Sequence, residues 1–232
     1  SSLFDPLHGI QLTRITSGGF MMGSAVTELF RDVDEFDQHE VTINSDYFIG
    51  ISELTQGQWE SIMGGSGSGS WPGSVVESPS STYGQSSTHP AYFVSWEDIT
   101  KVDGFLDKLN STAGCSPTNL RTDSLRYSPD FVPAGCYRLP TESEWEFAAR
   151  GGTTSSFSYG DDTTFGNLQN YAWFNDNSNS QSQPVSQKLS NPFGLYDVHG
   201  NVAELVYDLY QSSYSATPQT NPTGPSSGTS GR

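Results

Sequence analysis

Apolar and polar residues alternate along this chain over short stretches only. IQLTRITSGGFMMGS (10–24) starts with strand-type alternation and runs into a Gly-rich turn. In HEVTINSDYFIGISELT (39–55) the residues Val41, Ile43, Tyr47, Ile49 and Ile51 supply strand-type positions. Thr55 is placed to cap a short helix, QGQWESIM, that stops at Gly64. Pro90 to Val94 reads as a strand, and Ser95 then caps a helix predicted over 96–110. Its apolar residues Ile99, Val102, Phe105, Leu106 and Leu109 fall on one face, while Glu97 and Asp98 sit in the first turn, where the helix dipole favours acids. The fullest set of helix signals lies in CYRLPTESEWEFAARGG (136–152). There Pro140 stops a strand, Thr141 and Glu144 form a capping box, Trp145, Ala148 and Ala149 make the buried face, and Gly151 suits the C-terminal cap.

The stretches between these elements are polar. Residues 64–88 are rich in Gly, Ser and Pro and read as a surface loop inside one domain rather than a linker, because neither flank looks self-sufficient. Residues 211–232 form a polar tail with almost no apolar groups, too few for a core strand. The 232 residues are read as a single domain. Hydrophobic content is 33% and charged content only 16%, which predicts a loop-rich α+β protein rather than a helical one. Aromatics at 12% are numerous enough to pin long loops by buried rings.

Charge narrows the partners. A formal net charge of −16 repels phosphate backbones, so nucleic acid is excluded as a partner. Such a chain suits cations, calcium among them, although the same charge also serves solubility. No apolar run approaches the roughly 20 residues a bilayer span requires. No signal peptide is present, and Ser1 is read as a mature N-terminus or the start of an expressed piece.

Two cysteines, Cys115 and Cys136, flank a polar, Pro-containing stretch. A bridge across it would contribute on the order of 3 kcal/mol by the loop-entropy relation, and it would place the protein in an oxidising, extracellular or cell-surface setting. Two unrelated buried thiols remain the alternative. Metal ligation by this pair has no CxxC spacing or nearby His behind it. Asn110-Ser111-Thr112 is a glycosylation sequon. None of His8, His39, His89 and His199 stands four residues from another on a helix, so a His-based zinc or iron site lacks support. Glu142, Glu144 and Glu146 are spaced two apart, which does not place them on one helix face for acid–base work. GGSGSGS lacks the Lys of a phosphate loop, and no nucleophile elbow occurs.

Five ordered blocks resemble one family. They are GGFMMGS, HEVTI…YFIGISELTQGQW, HPAYFVSWEDI, YRLPTESEWEFAARGG and NPFGLYDVHGNVAEL, spanning roughly residues 17 to 210. Together they are similar to the formylglycine-generating enzyme, or sulfatase-modifying factor, domain. The resemblance implies a C-type-lectin-like α+β fold, loop-rich with few short helices and strands, and often bound calcium. On DVHGNVAE it implies that Asp197 and Glu204 offer carboxylates and that Gly200 and Val202 offer backbone carbonyls, a hard-oxygen set suited to calcium. A second family calcium site would begin at Asn167-Leu168, but the later turn it needs is not found in NDNSNSQSQPVSQ. Ala203 and Leu205 stand where the family carries two aromatic residues.

The family's enzymes use a copper-binding cysteine pair. By resemblance that pair belongs to a C-terminal part which this sequence is expected to lack, so the domain is expected to be incomplete at its C-terminus. Cys115 and Cys136 match a structural pair instead, which makes copper an unexpected cofactor for this chain. Arg138 is read as a clamp between the sheet and the capped helix, with a groove-lining role as the alternative. The sequence thus predicts an extracellular, calcium-stabilised binding or scaffold module without catalysis in this chain, displaying loops to a protein or glycan ligand. Two alternatives stand beside it. One is part of an oxidase whose cysteine pair lies on a separate or cleaved C-terminal fragment. The other is a structural subunit of a surface assembly, completed by a strand of another subunit.

Overall fold

The structure, a computed structural model, describes residues 2–28, 31, 38–64, 71, 77–115, 129, 135–212 and 215–228. In chain order the elements are β1 (Ser2–Phe4), β2 (Gln11–Ile15), β3 (Gly18–Met22), β4 (His39–Ile43), β5 (Tyr47–Gly50), α1 (Gln56–Met63), α2 (Trp96–Thr100), α3 (Phe105–Thr112), α4 (Glu142–Arg150), α5 (Leu168–Tyr171) and β6 (Gln219–Thr220). The strands form two three-stranded sheets, ordered β1-β2-β5 and β3-β4-β6. The first is antiparallel, with Thr13 opposite Ile49; the second pairs Phe20 with Val41 and adds β6 parallel to β4, Thr42 opposite Thr220. The polar tail therefore supplies an edge strand rather than a core one. Long loops join these elements, as the composition predicts.

Two hydrophobic clusters organise the packing. Strand β4 alternates as a half-buried strand should, with Val41 and Ile43 inward and Glu40 outward. Val41, Ile43, Met22 and Ile15 meet Phe147 and Ala148 of α4, together with Leu195. The other cluster lies among α1, α2 and α3, where Trp59 stacks on Phe105 at 5.0 Å and packs with Ile10, Ile99, Leu106 and Leu109.

Capping decides where the helices begin. Thr55, Ser95 and Thr141 each accept the N–H of the third helical residue, and Gln58, Asp98 and Glu144 each return a bond to the cap backbone. Gly64 and Gly151 end α1 and α4 in the left-handed conformation, as expected. The helix predicted over 96–110 is instead two helices. The chain turns at 101–104, Asp103 has φ 60°, and Gly104 comes so close to the Asp98 carbonyl that a side chain there would collide with it. Val102, expected on the apolar face, sits in that turn with 59% exposure.

The strand predicted over 90–94 is reduced to one bridge, Thr55 to Pro90, because Phe93 adopts φ 55° and breaks the extended run. Nor does a strand precede Pro140. Tyr137 is instead held by Asn110, whose side chain takes the Tyr137 N–H at 2.7 Å and donates to its carbonyl at 2.8 Å. Asn110 is 0% exposed and both ends of its amide are engaged, so the sequon cannot carry a glycan in the folded chain. Beside it, Cys115 and Cys136 form a disulfide with Cα atoms 6.0 Å apart. Most of the stretch between those two cysteines, like 65–70 and 72–76 of the predicted surface loop, lies outside the described residues.

Helix α4 is the most heavily tied element. Arg138 donates to both oxygens of Glu144, at 2.6 and 2.7 Å, and to the Leu139 carbonyl at 3.0 Å. The pairing uses a guanidinium fork that Lys could not supply, and Arg138 also lines the larger of the two concavities described below. Tyr47 of β5 donates to the Glu144 carbonyl at 2.6 Å, and the Glu142 N–H reaches Asp208 at 2.7 Å. One expected residue of the buried face differs: Phe147 fills the core, while Trp145 is only half-buried and faces cavities described below.

Replacing Thr141 by Ala is expected to cost about 1 kcal/mol in chemical denaturation, with Thr141→Ser close to wild type. The double variant Cys115→Ser, Cys136→Ser is expected to lose on the order of 3 kcal/mol. At roughly 2–4 °C per kcal/mol for a chain of this length, the melting temperature should fall by roughly 6–12 °C.

Candidate functional site

The segment after α4 is hung on that helix. Asn191 donates to the carbonyls of Ala148 and Ala149 at 2.7 and 3.0 Å, and accepts the N–H groups of Phe193 and Leu195. A tight turn follows, with Asp197 at φ 60° and the Gly200 N–H on the Asp197 carbonyl. A side chain at position 200 would strike the Trp173 carbonyl, so only Gly fits. Asn201 does adopt the left-handed conformation, φ 70°, and its N–H binds that same carbonyl at 2.8 Å. Its side chain accepts the Gln183 N–H at 2.9 Å and donates to the Gln183 carbonyl at 3.1 Å.

This folding brings Asp197, Gly200, Val202 and Glu204 to the wall of one pocket of about 390 Å³, shared with Trp145, Trp173 and Phe174. A further acid, which sequence reasoning missed, stands behind them. Glu53 accepts the Val202 N–H at 3.0 Å and the Asn201 side-chain amide at 2.9 Å. Its signal in the sequence is a lone acid between apolar Ile51 and Leu54, directly after a strand.

Electrostatics mark the pocket as strained. Burial pushes the Glu53 carboxyl up to about 9, with the Asp197 and Glu204 charges adding to it. Burial also raises Glu204 to about 7, against a hydrogen bond from Trp145 that favours its charged form. Glu204 lines both concavities and is itself exposed, so water screens part of this effect. Asp197 is raised by burial as well. It is 2% exposed; Oδ2 takes the Ser186 N–H at 2.7 Å, whereas Oδ1 is buried without a hydrogen-bond partner. Trp173, on the same wall, has a buried Nε1–H that is likewise unmet. Unmet polar atoms of this kind are rare in folded chains and call for an ion or water.

The donor set is hard oxygen throughout, as calcium requires. Among the described residues no group of three or more His, Cys, Asp or Glu could hold a metal by side chains alone. A cation here would therefore depend on the carbonyls of Gly200 and Val202 beside the carboxylates of Asp197 and Glu204. Copper does not fit. It needs soft thiolates, and the chain's two cysteines are spent on one disulfide.

A second concavity, about 850 Å³, lies across Trp145, Val202 and Glu204 from the first. Its walls include Ile10, Trp59, Ile99, Leu106, Leu109 and the β5 end of the first sheet. It opens to the outside, so water or another molecule fills it.

The remaining candidates are structural. Glu146 takes the Gly23 N–H at 2.9 Å and pairs with Arg150 at 2.7 Å. Asn167 precedes α5 and donates its N–H to Asp162 at 2.8 Å. His199 accepts the Ser158 N–H at 3.1 Å, with the Ser158 hydroxyl at 2.8 Å, and burial lowers it to about 4. With Ser158 buried, this is a neutral latch rather than a nucleophile and its base. No helix among the described residues is long and apolar enough to cross a membrane.

The comparisons agree with the geometry. The chain is 28% identical over 213 residues to the chaperone protein LppX of Paenibacillus barcinonensis, covering 79% of this chain and 69% of that one. It is 34% identical over 151 residues to the formylglycine-generating enzyme of Streptomyces coelicolor, covering 60% of this chain but 39% of the enzyme's length. Among solved structures, Treponema denticola variable protein 1 superposes with a TM-score of 0.70 at 27% identity, covering 98% of this chain and 84% of that one. The family model for the sulfatase-modifying factor enzyme 1-like domain matches residues 8–230, and the chain belongs to that family.

Proposed function

We propose that the chain is a calcium-stabilised binding or scaffold module of the sulfatase-modifying factor family, extracellular or at the cell surface, without catalysis by these residues. The observation that carries the reading is the Asp197 pocket, where a buried carboxylate oxygen and a buried indole N–H are both unmet. A calcium ion with bound water answers both, held by Asp197, Glu204 and the carbonyls of Gly200 and Val202. The disulfide supports an oxidising compartment. The engagement of both cysteines supports a role other than copper oxidation. A protein partner is supported by the similarity to a chaperone protein. The loop segment 153–183 offers a firm platform for one: Tyr159 stacks on Tyr171 at 4.2 Å and on Phe157 at 5.1 Å, and Phe165, 39% exposed, closes the group edge-on.

Calcium titration followed by melting temperature tests the proposal. Excess calcium at about a hundred times its Kd should stabilise the wild type by about 2.7 kcal/mol. Asp197→Ala should abolish the response, and chelation should reproduce that loss in the wild type. A wild type whose melting temperature ignores both calcium and chelator leaves only water in the pocket and overturns the reading.

The pH dependence has a defined sign. Glu53 and Glu204 titrate higher in the folded, metal-free chain than the ordinary 4.5. Their contribution to stability is therefore fully present below about 4.5 and declines as pH rises toward about 7 for Glu204 and about 9 for Glu53. Calcium favours the ionised forms, so the melting-temperature gain it confers should grow from pH 5 to 8. Calorimetry in buffers of different ionisation enthalpy should show protons released on binding.

A further inference from the structure

We infer that Glu53 is a positioning residue of the cation site at the 197–204 turn: it does not ligate the ion, but it fixes the peptides that carry the ligating carbonyls and adds its charge to those of Asp197 and Glu204. The inference rests on the calcium reading proposed for that pocket.

Glu53 is 6% exposed and stands behind the turn. Gly200, Asn201, Val202 and Glu204 line the 390 Å³ pocket, whereas Glu53 does not. Nor do Glu53, Asp197 and Glu204 converge on one ion, since among the described residues no trio of acids could hold a metal by side chains. Both oxygens of Glu53 are instead engaged by the turn: Oε1 accepts the Val202 N–H at 3.0 Å and Oε2 the Asn201 side-chain amide at 2.9 Å.

A peptide unit is planar and trans, so an N–H held on one side fixes the direction of the carbonyl on the other. The Trp173 carbonyl holds the Asn201 N–H at 2.8 Å, which sets the Gly200 carbonyl. Glu53 holds the Val202 N–H, which sets the next peptide and the point from which the Val202 carbonyl departs. Between these two planes lies Asn201 at φ 70°, a conformation few side chains adopt. Its amide is bracketed by Glu53 on one side and by the Gln183 N–H and carbonyl on the other. Glu53 is itself firmly placed, because the chain just before it is bonded to the same segment: the Tyr196 N–H reaches the Ile51 carbonyl at 2.8 Å.

Charge is the second contribution. The charges of Asp197 and Glu204 are felt at Glu53, and a cation bound between those two is felt there by the same Coulomb law. Among the described residues no Lys or Arg pairs with Glu53, so a cation in the pocket is the charge that balances it.

Isothermal titration calorimetry with calcium and with lanthanum, at one fixed pH, tests this. Glu53→Gln keeps the size of the side chain, accepts from only one of the two donors and carries no charge. It should weaken calcium binding by roughly 10–100-fold, the range for outer partners of metal ligands. Lanthanum, with its third charge, should lose a larger factor. Glu40→Gln, which removes an exposed acid of β4, should change either affinity by no more than about twofold. Asn201→Gly keeps the left-handed conformation and removes the amide that Glu53 holds. It should weaken calcium binding too, and its loss should not add to that of Glu53→Gln in the double variant. Where Glu53→Gln does not fold, Asn201→Gly decides by the same criteria. A loss below about threefold, or an equal factor for the two ions, marks a residue that only packs and overturns the inference. Binding abolished as completely as by Asp197→Ala overturns it in favour of a direct ligand. A wild type that takes up neither ion defeats the calcium reading itself, and with it this inference, before any variant is compared.

Discussion

The carboxylate of Glu144 is the contact on which the rest of the fold depends. It closes the capping box with Thr141, receives both arms of Arg138, and belongs to a residue whose own carbonyl receives Tyr47 from β5. Helix start, incoming chain and sheet thus meet at one residue. A carboxylate placed there without Arg138 would be a buried charge lacking its partner, a costly state; with it, the same burial strengthens the bond. Once α4 is fixed, Phe147 and Ala148 locate the second sheet, and Asn191 hooks onto the last turn to deliver the Asp197 segment.

The sequence revealed this hub because capping boxes are written in contiguous residues. It was less legible wherever a distant carbonyl or side chain made the decision. The break between α2 and α3 comes from the approach of Gly104 to the Asp98 carbonyl, which no hydrophobic period reports. Phe93 leaves the extended conformation although its neighbours read as a strand. Asn110 looks like a surface sequon until Tyr137, many residues later, is seen to take both ends of its amide. In the candidate site, the turn 197–204 was legible by resemblance to the family. Glu53 was not, because its partners Asn201 and Val202 are almost 150 positions away.

The two concavities share Trp145, Val202, Ala203 and Glu204, so what fills one bears on the other. Trp145 stands between them and hydrogen-bonds Glu204. Displacement of its ring toward either space would alter that bond and the charge it steadies. Trp145, which the sequence reading placed in the core, is half-buried and lines both concavities, while Phe147 does the packing.

Three carboxylates of raised pKa, Glu53, Asp197 and Glu204, gather at this turn, raised first by burial and, for Glu53 and Glu204, also by the neighbouring acids. The arrangement does not relax, because each acid is also a structural fastener: Glu53 fixes the turn backbone, Asp197 holds Ser186, and Glu204 takes Trp145. Protonating them keeps the geometry only in part, since a neutral carboxyl is a weaker acceptor for those N–H donors. On the proposed reading, a bound cation would keep each of these fasteners ionised, and the stability of the turn would then depend on what occupies the pocket.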